Sequence, residues 1–94
     1  MKLKHEKGTL ENDPSNRVLL YSFDKNEDEF LYINNIAGVK IVKKDFSERD
    51  SKIYHHVDLI IHTRIPEIGT LIFTFDDKLE SQVRTLVKSS IFKL

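Results

Sequence analysis

The sequence contains no cysteine and no tryptophan, one methionine, three glycines and two prolines. Without cysteine there is no disulfide, no thiolate metal ligand and no cysteine nucleophile, so a chain of this size is held by its core alone and suits a reducing cytoplasm. Its three scattered glycines do not form a phosphate-cradling loop, and neither G-x-S-x-G nor H-E-x-x-H occurs; no cofactor motif is present. Charge of one sign is also missing. Fifteen Lys and Arg offset fifteen Asp and Glu, which removes the overall field that would draw in nucleic acid or an anionic membrane. No apolar run approaches the length of a membrane span, and the Lys- and Glu-rich stretch Met1 to Leu10 is unlike a signal peptide.

What remains is an ordinary globular balance, 39% hydrophobic and 32% charged over 94 residues, enough for one core. The bias toward Lys, Ile, Asp and Phe with a single Ala is the kind that AT-rich coding produces, and it points to a bacterial or phage source.

Hydrophobic periodicity predicts the elements. Residues 1–16 are polar, close on Asp13-Pro14-Ser15, and predict a mobile arm with Lys2 to Leu10 available as an edge strand. Residues 17–94 make the single domain. Arg17 to Asp24 alternates and predicts a strand, which Asp24 to Asp28 turns back into Phe30 to Ile33. A third strand is expected from Gly38 to Lys44, with a bulge or bend at Gly38. From Ile53 to Ile65 the odd positions Ile53, Val57, Leu59, Ile61 and Ile65 are apolar, and Tyr54, His56, Asp58, His62 and Arg64 fall on the other face. Pro66 to Gly69 then turns the chain into a strand over Thr70 to Phe75.

At the C-terminus the period changes. Leu79, Val83, Leu86, Val87, Ile91 and Leu94 follow a helical stripe, with Asp77 placed as the cap and Glu80 completing an Asp-x-x-Glu capping box. The fold class is therefore α+β: an antiparallel five- or six-stranded meander covered by one C-terminal amphipathic helix.

Chemistry-bearing residues are sparse. His55 and His56 are neighbours on a strand and point to opposite faces, while His56 and His62 share a face but lie roughly 20 Å apart, too far to hold one ion. His56 with Asp58, or His62 near Glu67, is the kind of exposed pairing that a polar sheet face produces by chance, so neither a metal site nor a catalytic site is expected. Lys40, Lys43 and Lys44, continued by Arg49 and Lys52, could meet an anion or nucleic acid. Aromatic residues that would stack bases are few there, and lysine on a strand edge also deters aggregation. Tyr54, Ile60 and Ile72 lie opposite in parity to the core positions. Together with His56 and His62 they form the expected surface for another protein or a second copy of the chain.

Three segments carry a family resemblance: "FLYINNIAGVKIVKK", "HHVDLIIHTRIPEIGTLIFTF" and "DDKLESQVRTLVKSSIF". Their order resembles the C-terminal part of pleckstrin-homology-like domains, including bacterial and GRAM-type versions. Ile36 and Val39 match an I-x-x-V step, Leu71, Phe73 and Phe75 the last strand, and Leu79, Val83, Leu86 and Val87 the closing helix. The resemblance implies a partial or complete barrel of seven strands before the helix, and a module that binds rather than catalyses. The early strands, where that family holds its ligands, have no match, so no ligand residue is carried over. The expected function is a small non-catalytic regulatory or inhibitory module acting through protein–protein contact; the alternative is a nucleic-acid-binding regulator using Lys40 to Lys52.

Overall fold

The computed structural model describes residues 1–24, 28–47 and 53–90. Arg49 and Lys52, the middle of the Asp24 to Asp28 turn, and the helix-stripe positions Ile91 and Leu94 lie outside them. Among the described residues the chain is α+β, with seven strands in two antiparallel sheets. Strands β1 (Lys2–His5), β2 (Gly8–Asp13), β3 (Val18–Ser22) and β4 (Glu29–Tyr32) form a four-stranded meander. Strands β5 (Ile36–Ser47), β6 (Ile53–Thr63) and β7 (Thr70–Asp76) form a three-stranded one. Helix α1 (Glu80–Ser90) follows β7.

The structure differs from the expected single five- or six-stranded sheet in two respects. Residues 2–13, expected as an arm, form β1 and β2, with Leu3 paired to Leu10 and His5 to Gly8. Their inward positions are Leu3, His5, Leu10 and Asn12, all buried. Two of these four are polar, which hides the alternation in the sequence. The second difference is the break between sheets. After β4 the Ile33–Asn35 segment makes a 3-10 turn, and β5 leaves in a new direction to pair with β6. Asn34 and Asn35, turn formers between apolar strands, are the sequence signal for that corner. Ile33 N donates to Arg17 O (2.9 Å) and Arg64 N to Asn35 O (2.7 Å), pinning it to both sheets. A second seam is closed where Glu6 N donates to Thr74 O at 2.8 Å, joining the β1–β2 turn to β7.

One core fills the space between the sheets. Leu3, Leu10, Leu19, Tyr21 and Leu31 face Leu59, Ile61, Phe73 and Phe75, and Val83, Leu86 and Val87 of α1 complete the cluster. The helix departs from expectation at its start. A 3-10 turn, Asp77–Leu79, precedes it, and the cap is Asp76, whose carboxylate accepts from Lys78 N at 3.0 Å. Glu80 does not reach back as a capping box would, because its carboxylate is held by Arg84 Nε at 2.9 Å and Lys43 Nζ at 3.1 Å. The expected irregularity near Gly38 is present as a register shift between Ile36 and Gly38.

His5 is the polar residue most deeply set into this core. Its Nε2 hydrogen-bonds to Ser22 O at 2.8 Å, and its Nδ1 accepts from Lys7 N at 3.2 Å, so the neutral ring is the form both contacts suit. The rings of Phe73, Phe23 and Phe75 surround it edge-on at 5.1, 5.2 and 6.0 Å. Desolvation lowers its pKa below the ordinary imidazole value, outweighing the backbone bond to Ser22 that would raise it. A depressed histidine contributes stability in full above the unfolded-state pKa of about 6.5 and loses it as pH falls, because the unfolded chain then binds the proton more readily. Exposed His55 acts with the opposite sign, since Asp45 raises its pKa. A difference measurement therefore isolates His5: the stability gap between wild type and His5→Leu in urea unfolding should shrink from about pH 7.5 to about pH 5.5. A gap that stays constant or widens would show that the buried ring does not resist protonation.

Candidate functional site

Strand pairing fixes which side chains share the outer face of the three-stranded sheet, since directly opposed residues point the same way. Across β5, β6 and β7 the rows are Lys44–His56–Asp76, Val42–Asp58–Thr74, Lys40–Ile60–Ile72 and Gly38–His62–Thr70. The opposite parity carries Val57, Leu59, Ile61, Phe73 and Phe75 into the core. All five residues expected to meet a partner, Tyr54, His56, Ile60, His62 and Ile72, thus lie on one face, opposite in parity to the core positions. Ile72 is 49% exposed, His62 is exposed, and Tyr54, His56 and Ile60 are half-buried among their neighbours.

At the centre of that face Asp58 is only 3% exposed. Its Oδ1 accepts from Thr74 Oγ1 at 2.8 Å and its Oδ2 from Lys44 Nζ at 2.9 Å, tying β6 to both flanking strands. Burying a carboxylate is costly unless its oxygens are satisfied, and here a hydroxyl and an ammonium satisfy one each. Asp58 is thereby committed to its neighbours, which is a structural use of the residue paired in sequence with His56. His62 Nδ1 shares a hydrogen bond with Thr70 Oγ1 at 3.1 Å. His55, on the opposite parity but beyond the covered core, stands exposed and bonds Asp45 Oδ1 through Nδ1 at 2.6 Å. Among the described residues no three His, Asp or Glu side chains gather as a metal-ligand set.

Of the basic residues, the three described lysines divide between two faces. Lys40 and Lys44 project from the outer face, whereas Lys43 points to the other side and pairs with Glu80 of α1 at 3.1 Å. Alternation along one strand makes this unavoidable for adjacent residues.

Hollows beside Ile72 and beside His56 adjoin the seam between β1 and β7, and a wider cavity lies along the first sheet, none of them foreseen in the sequence. A hollow of about 300 Å³ beside Ile72 is lined by Thr74, Glu6, Lys7, His5 and Phe23. A wider, open cavity of about 920 Å³ runs along the β1–β2 hairpin between Lys2, Lys4 and Lys7 on one side and Asp24 and Asp28 on the other. Motif spacing does not reveal them, because the wider one joins residues from Lys2 to Asp28 and the hollow beside Ile72 joins His5 to Thr74.

No helix among the described residues is long and apolar enough to cross a membrane. No family model, no curated protein and no solved structure matches this chain.

Proposed function

We propose that this protein is a small non-catalytic binding module that engages another protein through the outer face of its three-stranded sheet. The observation that carries the reading is the row Lys40–Ile60–Ile72, in which two apolar side chains stand together on an uncovered face with a hollow next to Ile72. Apolar residues grouped this way, rimmed by Lys40, His62 and Thr70, have the anatomy of a modest interface: an apolar centre and a polar border. A side chain from a partner could seat in the hollow as an anchor.

The same proposal takes in the resemblance to pleckstrin-homology-like domains. Seven strands and then a helix is the order of elements that the resemblance implies, and β1 and β2 fall where the sequence offers Lys2 to Leu10 as a single edge strand. A regulatory or inhibitory role in a bacterial or phage cytoplasm fits a module of this size and composition.

The test is capture from host lysate with the wild-type protein and Ile72→Lys in parallel, with circular dichroism to verify the fold. The variant should remain folded, since the side chain already faces water, and should lose a protein that the wild type retains. Identical capture by both would remove this face from consideration.

A further inference from the structure

We infer that β4 is a self-association edge, where two copies of the chain pair their Glu29–Tyr32 strands antiparallel about a two-fold axis. β4 ends the four-stranded sheet, and its alternation can be fixed. Ile33 N donates to Arg17 O in register with the pairs Leu19↔Leu31 and Tyr21↔Glu29, which are therefore the hydrogen-bonded pairs of the ladder. The intervening residues, Phe30 and Tyr32, then turn their N–H and C=O groups away from β3. Among the described residues no strand pairs with that edge, and Tyr32 C=O, which opens the 3-10 turn Ile33–Asn35, keeps a second lone pair for an outside donor.

The exposed side chains follow the same two residues. Phe30 and Tyr32 are 65% and 62% exposed, on the face that also carries Val18 and Leu20 directly opposite them on β3. Edges are ordinarily guarded by lysine, proline or a bulge. The β5 edge carries Lys40, Lys43 and Lys44, whereas Glu-Phe-Leu-Tyr has only its shortness and Glu29 as guards.

A second copy fits this edge because of its register. Centring the two-fold on Leu31 sets Phe30 opposite Tyr32 of the second copy, and the reverse, so that outward N–H groups meet outward C=O groups and the four aromatic rings share one face. The same antiparallel sense brings the acidic end, Asp28 and Glu29, toward the Arg17 end of the other molecule, where Arg17 flanks Ile33. A parallel pairing or a slip of one residue would lose either the face match or the charge match. So short an edge makes a weak dimer, populated as concentration rises.

Tyr32→Pro is the decisive variant. Tyr32 has φ −67°, which proline adopts without strain, and its N–H is not used by β3. The substitution should leave the monomer folded while deleting the intermolecular donor. Tyr32→Ala, which keeps the N–H, separates the backbone contribution from the ring. In sedimentation equilibrium the wild type should show a reversible monomer–dimer equilibrium, weakened by at least about tenfold in Tyr32→Pro and less in Tyr32→Ala. Ile72→Lys should leave it unchanged, which separates this edge from the partner face proposed above. A wild type that stays monomeric at millimolar concentration, or a dimer indifferent to Tyr32→Pro, would overturn the inference.

Discussion

Gly8→Ala is expected to destabilise the protein by about 3 kcal/mol or more, a large share of the 5–15 kcal/mol that a domain commonly has. A Cβ at position 8 would sit 2.0 Å from Ser22 O, and the obstacle is backbone, so no side chain can swing aside. That carbonyl is already the acceptor for His5 Nε2, and the Ser22 hydroxyl accepts from Thr9 N at 3.1 Å. Relief would have to come from parting β2 and β3 where they meet the buried imidazole. Gly38→Ala is the control: its nearest neighbour would be His62 Cδ2 at 3.8 Å, an ordinary contact, so it should lie within about 1 kcal/mol of wild type. Urea midpoints at unchanged m-value decide the matter, and a cost at Gly8 no greater than at Gly38 would refute the crowding argument.

The contrast between these glycines also shows where sequence reading reaches its limit. Gly38 sits inside an obvious strand and draws attention as a bulge, yet its missing side chain is not what the packing requires. Gly8 sits in a polar stretch that predicts an arm, and the close approach that demands glycine involves a residue on a different strand. The later strands were legible because Val57, Leu59, Ile61, Phe73 and Phe75 keep a strict alternation of residue type. The first two strands were not, because a histidine and an asparagine take inward positions: His5 is satisfied through Ser22 O and Lys7 N, while Asn12 donates from Nδ2 to Ser89 Oγ and leaves its buried Oδ1 unpaired. Local periodicity records hydrophobicity, not the long-range hydrogen bonds that make a buried polar group acceptable. Asp58 is a second example, since its parity was read correctly while its burial depends on Lys44 and Thr74 from other strands.

The candidate site divides along the same line. Tyr54, Ile60 and Ile72 could be assigned to one face by counting in twos, and strand pairing adds that Ile60 and Ile72 are direct cross-strand neighbours with Lys40. Proximity in sequence is not proximity on a face: Lys43 and Lys44 diverge, one to Glu80 and the other to Asp58.

Phe73→Ala is expected to be the costliest side-chain truncation, about 3–5 kcal/mol by loss of buried surface and the cavity left behind. Phe73 is fully buried and lies at the junction of the two sheets. Its ring stacks on Phe23 at 5.1 Å and 11°, and meets the edges of His5 at 5.1 Å and Tyr21 at 5.7 Å. Those partners come from β1, from β3 and from the segment just after it, so one side chain on β7 supports the seam that Glu6 N and Thr74 O close. Ile72, its neighbour in sequence, points the other way and should tolerate Lys without unfolding. Adjacent residues with opposite outcomes are what a sheet buried on one face requires. The cavity should have a second consequence: water reaching the imidazole would relieve the desolvation that lowers its pKa, so acid should destabilise Phe73→Ala less steeply than the wild type. Urea unfolding at neutral and mildly acidic pH measures both effects. A loss under about 1 kcal/mol would mean that the two sheets are not joined through this ring.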